Sequence, residues 1–198
     1  VLALYRLQQR IVDQFPDLLL ENCCSGGGRF DPGMLYYSPQ IWCSDDTDAV
    51  ERLSIQQGTA MLYPLSCIGA HVSGCPNHIA GRMTPFHTRG IVAMAGTLGY
   101  ELDVTAIALE EQEQIPGQIA RYQTLQPLIQ TGDYYRIAAQ DGGWDCQMVV
   151  SKTKDAAGVY EDQETGRRYS GDVLCRVGWR PELPNGDFQG KLVWLLRV

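Results

Sequence analysis

Carboxylates crowd the short stretch that follows the apolar segment 41–43. Asp45, Asp46 and Asp48 lie there within four positions, in the run Ser-Asp-Asp-Thr-Asp, just before a helical pattern begins. Taken alone, such a run fits three roles: capping the helix, forming an oxygen cluster of the calcium-binding kind, or acid–base catalysis. Two carboxyl groups about 5–5.5 Å apart are what retaining hydrolysis of a glycosidic bond requires.

A second candidate group follows the preceding apolar segment. Cys23 leads into three glycines, 26–28, and then Arg29. Glycines let a backbone approach a ligand closely. Cys23 could be read as a thiol nucleophile, but no His partner is near it in the sequence, and a buried small hydrophobic residue is the commoner reading. Arg29 could pair with Asp31 or brace the loop.

Aromatic and imidazole side chains near these segments leave their roles open. Tyr36, Tyr37 and Trp42 suit stacking on a sugar face, and core packing suits them equally. His71 is placed at the end of a predicted strand, where a ligand contact and a structural hydrogen bond are equally expected. The histidines are not spaced i, i+4 and no Cys-x-x-Cys occurs, so no metal site is expected.

The elements that must position these groups repeat as strand, loop and helix. An apolar pattern at helical spacing predicts a first helix that ends before Pro16. The next predicted helix carries Val50, Leu53 and Ile55, with Thr47 or Ser44 as its cap. Further helices are predicted over 84–97 and from Glu110 to about Gln126. The predicted strands are 17–23, 40–43, 68–72 and 99–104, and 30–39 is predicted to be a loop. Strands that end in reactive groups are typical of a parallel α/β barrel.

After Gly132 the pattern changes to alternating apolar and polar residues with turn signals. Strands are predicted at 134–137, 147–150, 173–177 and 192–196. Such short runs make an antiparallel sheet. The predicted boundary separates a region 1–132 from a region 133–198, and the second is short for a complete β-sandwich.

The motifs in the first region, in this order and spacing, resemble those of the α-galactosidases of glycoside hydrolase family 36. The matching residues are Glu21, Cys23, Gly26, Arg29, Phe30 to Tyr37, Trp42, Ser44, Asp45, Thr47, Asp48, Ile55 to Thr59, Tyr63-Pro64, Gly69 to Ser73, Pro76-Asn77 and Gly99 to Asp103. The resemblance fades after Tyr135. Where the family has additional strands, this sequence joins Val159 directly to Tyr160.

The resemblance implies a fold and a set of roles. The fold would be the C-terminal half, about four strand–helix units, of a (β/α)8 TIM barrel, followed by a small antiparallel β-sandwich. Asp45 would be the proton donor, and Asp46 and Asp48 would cap the helix and hydrogen-bond within the loop. The galactose pocket would be lined by Cys23, Cys24, Ser25, Gly26 and Asp45. A tight wall there would favour galactose over N-acetylgalactosamine.

The implied activity is retaining hydrolysis of terminal α-galactosyl residues from oligosaccharides such as melibiose and raffinose. Two carboxylates suffice for it, so no cofactor or metal is expected. The family's nucleophile comes from a Lys-Trp-Asp segment upstream of this region, so the 198-residue chain alone is expected to be inactive. Trp144-Asp145 is interpreted as a decoy, because it follows the barrel. The alternative is a non-catalytic carbohydrate-binding or assembly fragment of the same family.

The composition limits which binding partners and which cellular compartment are expected. A formal charge of −7 and a pI near 4.9 lack the basic footprint of a binder of nucleic acids or anionic membranes. There is no run of about 18 apolar residues, so no membrane span is expected. Seven cysteines, an odd number spread through apolar segments, indicate reduced thiols and a cytoplasmic protein. The start at Val1 is expected to be the middle of a longer protein, and the resemblance implies a homo-oligomer, a tetramer.

Overall fold

The structure, a computed structural model, describes residues 1–23, 30–138, 145–153, 159–176, 182 and 184–198. In the first region helices and strands alternate. The helices are α1 (Leu2–Gln14), α2 (Pro32–Tyr37), α3 (Ala49–Ala60), α4 (Phe86–Ala93), α5 (Leu109–Gln112) and α6 (Ile115–Thr131), and the strands are β1 (Glu21–Asn22), β2 (Gln40–Ile41), β3 (Gly69–Ser73) and β4 (Thr97–Glu101). The predicted strand–loop–helix repeat is therefore confirmed.

The strands of this region lie side by side in sequence order and run parallel. Glu21 pairs with Gln40, Ile41 forms a parallel bridge with Ile68, and β3 pairs with β4 along their whole length. Parallel neighbours need a crossover connection, and α2, α3 and α4 provide it. As a result, the carboxyl ends of all four strands face the same side, which is where the candidate residues follow.

The core lies between these strands and the helices. Ile41, Cys67 and Ile68 form one fully buried cluster. Val72 of β3 packs with Phe86 and Ala93 of α4 in a second cluster. Burial of these side chains fixes β3 against α4 and β2 against the segment that enters β3, so these strands form a rigid support.

Two predictions for the region that precedes Trp42 are wrong. The segment 30–39 is not a loop throughout, because it contains α2. Asp31 caps this helix by accepting from the backbone N–H of Met34 at 2.8 Å, and Pro32 occupies the first helical position. The strand predicted over 17–23 is restricted to residues 21 and 22.

The second region is antiparallel. Strand β5 (Asp133–Ala138) pairs with β6 (Asp145–Val150), and β7 (Val159–Asp162) lies between β8 (Arg168–Ser170) and β9 (Leu195–Arg197). The strand predicted at 173–177 is wrong, because residues Gly171–Arg176 form helix α7. The Ser170 hydroxyl accepts from the backbone N–H of Val173 at 3.2 Å, which starts a helical turn. A short apolar run does not by itself distinguish a strand from a helix.

Among the described residues, no helix has both the length and the apolar composition needed to cross a bilayer.

Candidate active site

The loop that joins β2 to α3 places the carboxylates. The side chain of Asp48 accepts from the backbone N–H groups of Val50 and Glu51, both at 3.1 Å, and it is almost fully buried. Asp48 is therefore the cap of α3, which confirms the expectation for this residue. The other predicted caps, Thr47, Ser44 and Asp46, are wrong. Asp48, the third carboxylate of the loop, reaches the helix amides because it immediately precedes the first residue of α3.

The remaining polar groups of this loop anchor it. Asp46 accepts from the backbone N–H of Asp48 at 2.9 Å, and Ser44 accepts from that of Asp46 at 3.1 Å. Thr47 is buried, and the amide of Asn77 donates to its hydroxyl at 3.0 Å. The expectation that Asp46 hydrogen-bonds within the loop is confirmed. These bonds fix the backbone on both sides of Asp45.

Asp45 itself is exposed, and its carboxylate is oriented by a neighbouring ring. The indole N–H of Trp42 donates to Oδ1 of Asp45 at 3.1 Å. One carboxylate oxygen is thus fixed by a hydrogen bond while the group remains open to solvent at the carboxyl ends of the strands. This is a suitable arrangement for a proton donor that must meet a substrate from outside.

Trp42 in turn rests on a polar cluster in which the side chains of His71 and Arg52 are buried and that of Glu101 is half exposed. Its ring stacks on the imidazole of His71, with centroids 4.2 Å apart and planes 7° apart. His71 Nε2 lies 3.0 Å from Oε2 of Glu101, at the end of β4. The guanidinium of Arg52, from α3, lies 5.5 Å from the Trp42 ring centroid and within 3.3 Å of both imidazole nitrogens.

Burial sets the protonation state of this cluster. Burial, with the nearby Arg52 charge, lowers the pKa of His71 to about 3, so the imidazole is neutral at ordinary pH. The contact between His71 and Glu101 is therefore a hydrogen bond from a neutral Nε2–H rather than an ion pair. Partial burial raises the pKa of Glu101, and the positive charge of Arg52 opposes this shift. The negative charge of Asp45 makes a smaller contribution that also raises the pKa.

Sequence reasoning missed the roles of Arg52 and Glu101. A signal for Arg52 does exist, because Ala49, Arg52 and Gln56 recur at helical spacing and are all buried. A charged residue on the face of a helix that packs inward requires a partner. Nothing local indicates that the partner is a histidine 19 residues further on.

The glycine-rich group is only partly described. Cys23 is an exposed thiol at the end of β1, so the reading of a buried small residue is wrong. Cys24, Ser25, Gly26 and Arg29 lie outside the described residues. The backbone N–H of Trp42 donates to the Asn22 carbonyl at 2.9 Å. The chain that enters segment 24–29 therefore runs beside the chain that carries Asp45.

Other candidates lie apart from this site. Asp145 begins the antiparallel strand β6, and its carboxylate accepts from the side-chain amide of Gln57 at 2.5 Å. This placement agrees with the interpretation of Trp144-Asp145 as a decoy, although Trp144 lies outside the described residues. Within the described ranges, no group of three or more His, Cys, Asp and Glu side chains could hold a metal ion.

Comparison with known proteins gives a consistent result. The profile of the family described as Melibiase matches residues 1–132. The chain is 45% identical over 208 residues to the bifunctional α-galactosidase/sucrose kinase AgaSK of Mediterraneibacter gnavus, covering 90% of this chain and 22% of that protein. It is 49% identical over 158 residues to α-galactosidase AgaA of Geobacillus stearothermophilus, covering 79% of this chain and 22% of that protein.

Solved structures agree with these matches. The structure of a variant of AgaA from Geobacillus stearothermophilus, a family 36 glycoside hydrolase, in complex with 1-deoxygalactonojirimycin has a TM-score of 0.93 and 39% identity. It covers 98% of this chain and 31% of that chain. A variant of the same enzyme in complex with raffinose has a TM-score of 0.91, also with 39% identity. The chain spans 21–30% of the length of the curated relatives it matches.

Proposed function

Because this chain belongs to the melibiase family, with an α/β glycoside hydrolase fold, we propose that it supplies the proton donor and part of the sugar pocket of a retaining α-galactosidase. The substrates would be oligosaccharides with terminal α-galactosyl residues, of the melibiose and raffinose type. The observation that carries the proposal is the exposed Asp45 carboxylate, oriented by the Trp42 indole N–H at the carboxyl ends of parallel strands.

The proposed reaction proceeds in two displacements. In the first, a carboxylate nucleophile attacks the anomeric carbon while the Asp45 carboxyl group protonates the departing glycosidic oxygen. The bond between that carbon and the oxygen breaks, leaving a covalent galactosyl-enzyme. In the second, the Asp45 carboxylate removes a proton from water, which displaces the enzyme carboxylate and releases galactose with its original configuration. The nucleophile would come from a Trp-Asp segment of a longer polypeptide that precedes Val1.

The proposed fold is half of a (β/α)8 barrel. Four strands that lie in sequence order and run parallel support this proposal. The match to a solved family member supports it too, because this chain aligns with 31% of that protein at a TM-score of 0.93. We assign residues 1–132 to the half-barrel and 133–198 to a small β-sandwich. The change from parallel to antiparallel pairing at Asp133 supports that boundary.

The proposed galactose pocket combines the strand ends of β1 and β2. Cys23, Cys24, Ser25 and Gly26 would form one wall and Asp45 the opposite side. The exposed thiol of Cys23 and the backbone bond between Trp42 and Asn22 support this assignment for the described part. Backbone N–H groups of a glycine-rich wall would meet sugar hydroxyls.

We expect Gly26→Trp in the full-length protein to weaken inhibition by free galactose at least about tenfold, because an indole ring would occupy the space of the sugar. Cys23→Ser, which changes one atom, is the matched control and should change the inhibition constant less. An unchanged inhibition constant for galactose in Gly26→Trp would remove this segment from the pocket.

Proton NMR of the full-length protein hydrolysing melibiose tests the proposed activity directly. We expect the galactose released first to be the α anomer, which then mutarotates, because two displacements retain the configuration. Initial release of the β anomer would contradict the retaining mechanism. Binding of raffinose without turnover would instead support a carbohydrate-binding fragment.

A further inference from the structure

We propose that His71 is a positioning residue for the carboxyl group of Asp45, acting through the indole ring of Trp42. Glu101 and Arg52 hold His71 in place for this purpose. The inference rests on the proposed function, because it requires Asp45 to be the acid/base group. His71 is buried beneath the indole, so it acts on the reaction through that ring.

The argument begins with the freedom of Asp45. An exposed aspartate samples several rotamers, and water competes for its oxygens. A proton donor must instead be held near the glycosidic oxygen, since a displacement of about 1 Å can cost a hundredfold in rate. The indole N–H of Trp42, 3.1 Å from Oδ1, supplies the constraint. The rate of proton transfer from Asp45 should therefore depend on the direction in which that N–H points.

The plane of the indole ring sets this direction, and His71 sets the plane. Rings 4.2 Å apart with an angle of 7° between them are in full stacking contact. Any tilt of the Trp42 side chain about its outer torsion would break this contact. Because the torsion is otherwise broad for aromatic residues, the stack selects one orientation of the N–H group.

His71 is in turn held at both ring nitrogens. Its side chain is only 4% exposed, and its Nε2–H donates to Glu101 at 3.0 Å. With the Nε2–H directed at Glu101, Nδ1 is the nitrogen left to accept, and Nη2 of Arg52 lies 3.3 Å from Nδ1 and 3.2 Å from Nε2. Rotation of the imidazole would therefore disturb its contacts with both Glu101 and Arg52.

Arg52 completes the support from the helix side. It is 1% exposed, and its Nη1 donates to the Cys43 sulfur at 2.9 Å. It projects from α3, whose cap, Asp48, lies on the same loop as Asp45. His71 is the central residue of β3, so its predicted place at the strand end is wrong. The helix, the imidazole and the proton donor are therefore linked through short contacts that span three consecutive strands.

The test is a leaving-group comparison in the full-length protein. Values of kcat/KM are measured on melibiose, which needs a proton donor, and on 2,4-dinitrophenyl α-galactoside, which does not. His71→Gln removes the ring, and His71→Phe keeps it. His87→Gln is the matched control, because His87 is an exposed histidine on α4. Each variant is also made in an Asp45→Asn background.

We expect His71→Gln to lower kcat/KM on melibiose about ten- to a hundredfold, with less than about a threefold change on the activated substrate. His71→Phe should show a smaller selective loss, and His87→Gln none. In the Asp45→Asn background, His71→Gln should add nothing on melibiose, because the group it positions is absent.

Equal losses on both substrates, no loss, or a full additional loss in the Asp45→Asn background would overturn the inference. If His71→Gln does not fold, His71→Phe and Trp42→Phe carry the same comparison. The outcome for Asp45→Asn alone separates the two proposals. If that variant shows the leaving-group signature and the His71 variants do not, the positioning role fails and the proposed function stands.

Discussion

Asp45→Asn in the full-length protein should lower kcat/KM on melibiose or raffinose by about 10²- to 10⁴-fold, which is the usual contribution of a general acid. The amide cannot protonate the departing oxygen, although it can still accept the Trp42 hydrogen bond and so preserve the loop. Activated aryl galactosides should lose much less in the first step, because their leaving groups need no proton. The measurement is the ratio of kcat/KM between the two substrate types.

Azide provides a second readout for this variant. The galactosyl-enzyme formed from an activated substrate would accumulate, because water would no longer be deprotonated by Asp45. Azide needs no general base, so it should restore turnover and yield α-galactosyl azide, with the enzyme carboxylate as the leaving group.

Asp46→Asn is the matched control, since it removes the same charge from the adjacent position and leaves an acceptor for the N–H of Asp48. An equal loss on both substrate types for Asp45→Asn, or no loss, would show that Asp45 is not the acid/base group.

The isolated 198-residue chain should show no detectable hydrolysis of p-nitrophenyl α-galactoside. In the proposed mechanism Asp45 is the donor, and the nucleophile belongs to a preceding segment of a longer polypeptide. A leaving group as good as p-nitrophenol does not compensate for a missing nucleophile, because the covalent step is absent. The full-length protein assayed at equal molarity is the control.

The same chain should also self-associate. Helix α1 has no buried residue, and apolar side chains on and after it are exposed. The most exposed of them are Leu2, Leu7, Phe15 and Leu19. Within the described residues, β1 and β4 each have one unpaired edge, and such edges and apolar faces promote association. Light scattering on the purified chain measures this.

Robust galactoside hydrolysis by the isolated chain would contradict two proposals, namely that the chain lacks the nucleophile and that it forms half of a barrel. A stable, inactive monomer would contradict the half-barrel alone.

The sequence by itself determined the repeat of strand, loop and helix and the position of the candidate acid. Apolar periodicity is a local property, and it correctly indicated α1, β3 and the helix after Asp48. Motif spacing indicated Asp45 as the candidate acid. This was possible because the end of β2 and the loop that follows it are contiguous in the chain.

Predictions from apolar periodicity were wrong where a side chain hydrogen-bonds to the backbone. A single aspartate cap followed by proline turned part of a predicted loop into α2. A serine hydroxyl began α7 where alternation indicated a strand. In both cases a side-chain oxygen that accepts from a backbone N–H supports a helical turn, and the apolar pattern does not record this contact.

Only the tertiary structure decided how the site is supported. Trp42 directly follows β2, His71 is the central residue of β3, Glu101 ends β4 and Arg52 belongs to α3. No spacing in the sequence relates them. Parallel pairing brings the ends of β2, β3 and β4 to one side, and burial then requires that the charge of Arg52 find partners. The tryptophan that orients Asp45 is fixed by those long-range contacts, which depend on packing and not on sequence proximity.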